Sequence, residues 1–232
     1  MKKLLVSDYD KTFYLNEEDI KENIKWVEEF RKQGNIFVFG TGRSYFDFKK
    51  KVLEYDLKYD YVLIDHGALI LDNNDNILNV CYIDNDIVSS IKNDLRLNDS
   101  INTFCCSCLE SRVDFEHKNL TKINVTYYDS EIANYVNKQI NEKYTDYVVS
   151  YIINKNTIEI ISNKISKAKA IDILINKIDI ESSDVYTIGD GYSDIKMCEK
   201  YNGYCMKDSV DELKKVSNNE YNSVSDLIKE IT

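Results

Sequence analysis

The 232 residues are 43% hydrophobic and 30% charged, enough apolar material to bury a core in one large domain or two small ones without disulfide staples. A formal net charge of −10 disfavours nucleic acid and anionic membranes as long-range partners, so an anionic substrate has to be held by local cations or a metal. No apolar run reaches the roughly 18 residues of a membrane span, and Asp8 and Asp10 cut short the apolar stretch after Met1-Lys2-Lys3, so a cytoplasmic protein is expected.

Leu4-Leu5-Val6 is a short apolar run ending in polar residues. A helix signature follows, with Asn16 as N-cap, Asp19 three residues later, and Ile20, Ile24, Val27 and Phe30 on one face; Gly34 ends it. Ile36-Phe37-Val38-Phe39 is the next buried strand. Ser44 caps a helix to about Tyr55, and Tyr61-Val62-Leu63-Ile64 is the third strand. Strand–helix alternation with short connections predicts a parallel sheet covered by helices, with the site at the carboxyl ends of its strands.

After about Leu78 the rhythm changes. A helix is expected at 84–95, strands near 101–106, 112–116 and 122–127, a helix from Ser130 to about Asn141, and strands near 147–152 and 157–161. This reads as a separate α+β unit over 80–163, inserted into a first unit made of 1–79 and 164–232. From Ser166 the parallel-sheet pattern returns, with a helix to Lys177, strand Val185–Ile188, a helix from about Ser193, a strand near Tyr204–Met206 and a last helix from Ser223. Of the six cysteines, Cys105, Cys106 and Cys108 are bunched, which fits neither a disulfide framework nor a zinc site; reduced thiols are expected.

Asp8-Tyr9-Asp10-Lys11-Thr12 follows the first strand directly, and carboxylates two residues apart project to one side of an extended chain. Taken alone, an Asp-x-Asp pair also describes a surface acidic turn. Gly189-Asp190-Gly191-Tyr192-Ser193-Asp194 repeats the pattern after another buried strand, with two carboxylates four residues apart at a helix start. In a parallel sheet both acidic loops reach the same edge and form a hard, oxygen-rich site suited to Mg²⁺. The second strand ends in Gly40-Thr41-Gly42-Arg43-Ser44, where free backbone N–H groups before a helix make an anion seat. A lysine at the start of the helix that re-enters the sheet can pair with the acidic cluster or a phosphate, and Lys164, Lys167 and Lys169 are all close enough in sequence to be that lysine.

These four elements, in this order, resemble the haloacid dehalogenase (HAD) superfamily of phosphatases. The inserted unit resembles the C2-type cap of its Cof-like branch, and Asp65-His66-Gly67-Ala68 and Asn202-Gly203-Tyr204-Cys205-Met206 stand where that branch has related stretches. The resemblance implies a Rossmann-like α/β core with an inserted α+β cap. It further implies that Asp8 is the nucleophile, Asp10 the acid/base, and Thr41 and Lys167 the holders of the phosphoryl group. Asp8, Asp10, Asp190 and Asp194 then form the Mg²⁺ end, and Thr12, Gly42 and Arg43 lie beside the substrate phosphate. His66 and Lys11 depart from that family's usual residues. In the cap, Arg112, His117 and Lys122 are candidates for reading a small phosphorylated metabolite; no nucleic acid, membrane or obligate protein partner is expected. Two other readings share these features. A phosphohexomutase would pass the phosphoryl group to a sugar hydroxyl, and a receiver-like module would merely carry it, although its acceptor normally follows the third strand.

Overall fold

The structure, a computed structural model, describes residues 2–232. In chain order, β1 (Leu4–Ser7), α1 (Glu17–Lys32), β2 (Ile36–Gly40), α2 (Tyr45–Tyr55) and β3 (Tyr61–Ile64) build the first alternating layer. Local chemistry sets the helix starts: the Asn16 side chain accepts from the N–H groups of Glu18 and Asp19, and Ser44 accepts from that of Asp47. Two strands absent from the sequence reading come next, β4 (Leu69–Asp72) and β5 (Ile77–Val80). Their turn is held by Asp72 Oδ1, which accepts from the N–H groups of Asn74 and Asn76.

The inserted segment contains α3 (Asn85–Asp94), β6 (Ser100–Ser107), β7 (Glu110–Val113), β8 (Lys122–Tyr127), α4 (Ser130–Lys143), β9 (Val148–Asn154) and β10 (Thr157–Ser162). The chain then completes the first sheet with α5 (Lys167–Ile178), β11 (Val185–Gly189), α6 (Ile195–Lys200), β12 (Asn202–Met206), α7 (Asp211–Lys214), β13 (Glu220–Tyr221) and α8 (Val224–Ile231).

Eight strands in the order β13-β12-β11-β1-β2-β3-β4-β5 form one sheet, and five in the order β7-β6-β8-β10-β9 form a second. The first is parallel from β13 to β3 and antiparallel from there to β5; every pairing in the second is antiparallel. The fold is therefore mixed α/β with a largely parallel main sheet, the HAD-like class expected from the sequence. Two apolar clusters cover the faces of the large sheet. One is aromatic, around Phe13, Phe37, Phe39 and Phe48, and the other aliphatic, around Val38, Ile70, Ile171 and Leu174. The inserted segment has its own cluster, in which Ile123, Val125, Ile158 and Ile160 meet Ile91, Val136 and Ile140 of the helices.

Side chains alternate across a strand. In β8, Ile123, Val125 and Tyr127 join that apolar cluster, which leaves Lys122, Asn124 and Thr126 on the opposite face. In β10, Ile158 and Ile160 leave Glu159 on the opposite face in the same way. A cavity lies between the polar face of the small sheet and the loops of the large one.

Phe39 is fully buried and meets the rings of Tyr9, Phe13, Phe37, Phe48 and Tyr59 edge-on, with centroids 4.8 to 5.9 Å apart. Phe39→Ala is expected to cost about 3–5 kcal/mol, read as a lowered urea midpoint with an unchanged slope. A midpoint within experimental error of wild type would show that these contacts do not anchor the core.

Candidate active site

β1 pairs in parallel with β11, so the loops that follow them leave the sheet edge side by side. The Asp8 N–H donates to the Ile188 carbonyl at 2.9 Å, which fixes the start of the first loop against the last turn of β11. Between the two loops lies the Lys167 ammonium, 2.6 Å from Asp8 Oδ1 and 2.6 Å from Asp194 Oδ1. Ser166 caps α5 by accepting from the Lys169 N–H, which places Lys167 at the first helical position. Of the three lysines in this stretch, Lys167 is buried, while Lys164 and Lys169 are exposed.

Burial raises the Asp8 carboxyl well above its ordinary pKa, and Lys167 only partly opposes this. Burial works against the Lys167 charge as well, but Asp194 and Asp8 outweigh it and hold the ammonium protonated. Asp190 is pushed up to about 6, first by burial and then by the Asp194 charge. Asp194 organises its own loop: Oδ2 accepts from the N–H groups of Asp190 and Gly191, each at 3.1 Å. A Cβ at Gly189 would lie 2.4 Å from the Asp194 carboxyl carbon, so that close approach requires glycine.

Asp8, Asp190 and Asp194 each bring one carboxylate oxygen within 4.8 Å of the others. One ammonium pairs with two of the three carboxylates, Asp8 and Asp194, and the all-oxygen set fits a hard divalent cation. Asp10 stands apart from this set. Both of its oxygens accept from Arg43, at 2.8 and 2.6 Å, and Arg43 lies 5.4 Å from the ring centre of Tyr9. Thr12 is fully buried, and its hydroxyl donates to Asp190 Oδ1 at 3.2 Å, so it orients a carboxylate.

The loop after β2, expected from the sequence to be an anion seat with free N–H groups, is held rigid by its neighbours, and two of those N–H groups are already engaged within the protein. The Thr41 N–H donates to the Leu63 carbonyl at 2.8 Å, and the Thr41 hydroxyl accepts from the Arg43 N–H at 3.0 Å. The turn after β3 closes over the seat, with the Asp65 N–H on the Arg43 carbonyl at 3.1 Å and the His66 N–H on the Thr41 carbonyl at 2.9 Å. Asp65 and His66 adopt left-handed backbone angles, φ 49° and 58°, that point both N–H groups at the seat.

A cavity of about 830 Å³ runs from Asp8, Asp190 and Asp194 past Gly42 and Arg43 to His66, Lys122, Asn124 and Glu159 under the small sheet. Thr12 and Thr41 are buried behind this wall and are not among the residues lining it. Arg112 and His117 do not line it either: Arg112 lies over the Phe104 ring at 4.7 Å, and His117 pairs with Glu110 at 3.2 Å and with the Lys118 carbonyl at 2.7 Å. Both belong to the β6–β7 hairpin and the loop after it, where their partners are local.

Lys122 lines the cavity, but as a buried ion-pair centre, 3.0 Å from Asp65 Oδ1 and 3.0 Å from Glu159 Oε1. Glu159 also meets His66 Nε2 at 2.6 Å and accepts from the Asn124 amide at 3.0 Å, while Asp65 Oδ2 accepts from the Thr121 hydroxyl at 2.8 Å. Asp65, His66 and Glu159 were missed as a unit because their partners are distant in sequence. The alternation of apolar and polar residues from Lys122 to Tyr127 is the one sequence signal that could have set Lys122 opposite the apolar face.

The profile of the haloacid dehalogenase-like hydrolases matches residues 5–117 and 109–227, and the chain belongs to that family. It is therefore an enzyme of the hydrolase class. A Mycoplasma capricolum protein of no stated activity is 31% identical over 91% of this chain and 93% of its own length. A Buchnera aphidicola relative, named as a candidate phosphatase, is 24% identical over 98% and 97%. The structure overlays on a haloacid dehalogenase-like hydrolase from Bacteroides thetaiotaomicron with a TM-score of 0.84 at 18% identity, covering both chains fully. It overlays on a subclass IIB sugar phosphatase with a TM-score of 0.82 at 15% identity, covering 99% of each chain. No helix among the described residues is long and apolar enough to cross a membrane.

The buried network carries a pH signature. Burial alone would raise the Glu159 carboxyl, but Lys122 and His66 outweigh it and bring it down to about 2 from its ordinary 4.5. A depressed carboxyl stabilises the fold above its unfolded pKa and loses that contribution as the pH falls through the folded value. The stability advantage of wild type over Glu159→Gln is therefore expected to be complete above pH 4.5 and to shrink steadily toward pH 2. Chemical melts at a series of pH values measure it; a constant difference would show that Glu159 does not titrate with this network.

Proposed function

We propose that the protein is a Mg²⁺-dependent phosphatase that hydrolyses a small organic phosphate monoester, such as a sugar phosphate, through an aspartyl-phosphate on Asp8. The observation that carries the reading is the buried Asp8 carboxylate at the end of β1, paired with Lys167 and facing a cavity that also holds the seat at Gly42 and Arg43. The phosphatase name of the Buchnera aphidicola relative and the sugar-phosphatase fold neighbour support it.

In the proposed reaction an Asp8 oxygen bonds to phosphorus as the bond to the ester oxygen breaks, and Asp10 gives its proton to that departing oxygen. Asp10 then takes a proton from water as the water oxygen attacks phosphorus, the Asp8–phosphorus bond breaks, and free phosphate leaves. In the structure both Asp10 oxygens are occupied by Arg43, so Asp10 can act as an acid only after Arg43 releases one of them. Arg43 lines the cavity, and an arriving phosphate competes with Asp10 for its guanidinium. Asp8, Asp190 and Asp194 would hold Mg²⁺, which when bound supplies positive charge against the phosphoryl oxygens. Lys167, 2.6 Å from Asp8 Oδ1, supplies a second, fixed positive charge beside it.

A receiver-like role would place the acceptor after β3. That residue, Asp65, is fully buried and paired with Lys122 and Thr121, whereas Asp8 faces the cavity.

Asp8→Asn is expected to fold normally and to lose roughly 10⁴-fold or more in kcat, while Asp10→Asn loses roughly 10²–10⁴-fold. Phosphate release from a panel of phosphorylated metabolites and one small aryl phosphate measures both. Asp8→Asn activity within tenfold of wild type would falsify the covalent route. EDTA is expected to silence the enzyme and Mg²⁺ to restore it; full turnover in excess chelator refutes the metal assignment. Arg112→Ala and His117→Ala are expected to keep the wild-type ranking of metabolites, because neither side chain lines the cavity.

A further inference from the structure

All three carbonyls of the seat are turned toward donors: Thr41 toward the His66 N–H at 2.9 Å, Arg43 toward the Asp65 N–H at 3.1 Å, and Gly42 toward the Lys122 ammonium at 2.5 Å. The first two donors are backbone groups of the turn that follows β3. The third is a side chain from β8, which belongs to the other sheet. Each carbonyl drawn outward turns its peptide plane. The Gly42–Arg43 peptide is held at both ends, because its N–H donates to the Thr41 hydroxyl while its oxygen accepts from Lys122.

The same residue is clamped at its Cα. A Cβ on Gly42 would lie 2.5 Å from His66 Cε1 and 3.2 Å from Glu159 Oε2, so the imidazole packs directly on the glycine backbone. Glu159 in turn grips both His66, at 2.6 Å, and Lys122, at 3.0 Å. Lys122 is 1% exposed, donates to the Gly42 carbonyl and lies 3.0 Å from a carboxylate oxygen of both Asp65 and Glu159, so its ammonium is turned toward protein groups rather than toward a substrate.

We infer that Lys122 is a positioning residue for the phosphate seat: by donating to the Gly42 carbonyl from within the inserted segment, it sets the orientation of the 41–43 loop and ties phosphate affinity to docking of that segment. The inference rests on the phosphatase reading only in taking the 41–43 loop as the phosphate seat. It separates two roles for the same side chain. A residue that reads the leaving group discriminates among metabolites, whereas one that shapes the seat affects every phosphate equally, inorganic phosphate included.

Replacing Lys122 alone strands two buried carboxylates. The test is therefore the neutral triple variant Asp65→Asn/Lys122→Met/Glu159→Gln, with inorganic phosphate in the presence of Mg²⁺ as the calorimetric probe. The triple variant is expected to bind phosphate roughly tenfold or more weakly, and its kcat/KM for a metabolite and for a small aryl phosphate should fall by the same factor. Phosphate affinity within twofold of wild type overturns the inference, and so does a loss confined to metabolites with aryl phosphate hydrolysis unchanged.

Should the triple variant fail to fold, wild type itself decides the matter, because coupling is reciprocal. Saturating phosphate must then slow amide exchange across residues 122–127, and unchanged exchange there overturns the inference. Wild type that binds phosphate but hydrolyses no ester refutes the proposed function and leaves this inference standing. Wild type that binds no phosphate at all refutes the seat and the inference with it.

Discussion

The carboxyl edge of the large sheet depends on one buried ammonium. Lys167 is 1% exposed and sits 2.6 Å from both Asp8 and Asp194, so three elements that are far apart in sequence meet at a single charge. Removing one partner from such a group leaves an uncompensated buried charge, which typically costs 3–5 kcal/mol. The start of α5 is therefore pinned against the carboxyl ends of β1 and β11. That in turn limits where the inserted segment can return the chain, since β10 ends at Ser162 and the Ser166 cap follows almost at once. The small sheet is held over the cavity at one end by this short return and at the other by Asp65, Lys122 and Glu159.

What could be read from the sequence was what is local. Mostly apolar runs of three or four residues, followed within two residues by an acid or glycine, announced β1, β2, β3 and β11, and caps at Asn16 and Ser44 together with a start at Ser166 marked helix starts that the structure repeats. The two acidic loops were legible for the same reason, because parallel topology sends both to one edge whatever the remaining chain does. The β4–β5 hairpin lies just before the expected inserted unit and was not read, although Asn73-Asn74-Asp75-Asn76 between two apolar runs is a turn signal.

The cap side of the cavity was illegible for a physical reason. A polar or basic side chain near a hairpin looks the same in sequence whether it faces a cavity or solvent, and Arg112, His117 and Lys122 were weighed alike. The structure separates them through partners that no local pattern encodes: Phe104 beneath Arg112, Glu110 beside His117, and Asp65 with Glu159 around Lys122. Asp10 shows the same limit. Its position two residues after Asp8 placed it correctly at the edge, but its capture by Arg43 depends on the second loop.

That capture is part of a wider arrangement. The chain has a formal net charge of −10, and three cations along the cavity are already matched with acids: Lys167 with Asp8 and Asp194, Lys122 with Asp65 and Glu159, and Arg43 with Asp10. Lys11 and Lys155 also line the cavity, exposed and without an ion-pair partner among the described residues, so a phosphate can meet them directly. Engaging one of the matched cations instead means drawing it from its carboxylate. Lys167 and Lys122 are buried and enclosed by their partners, which makes exchange costly there. Arg43 is 28% exposed at its side chain and holds an aspartate that is 48% exposed, so the exchange costs least at that pair. The same exchange that lets Arg43 meet the phosphate frees Asp10. On the proposed reading, substrate arrival and release of the acid/base become a single event, and an ion held by Asp8, Asp190 and Asp194 would add positive charge beside it.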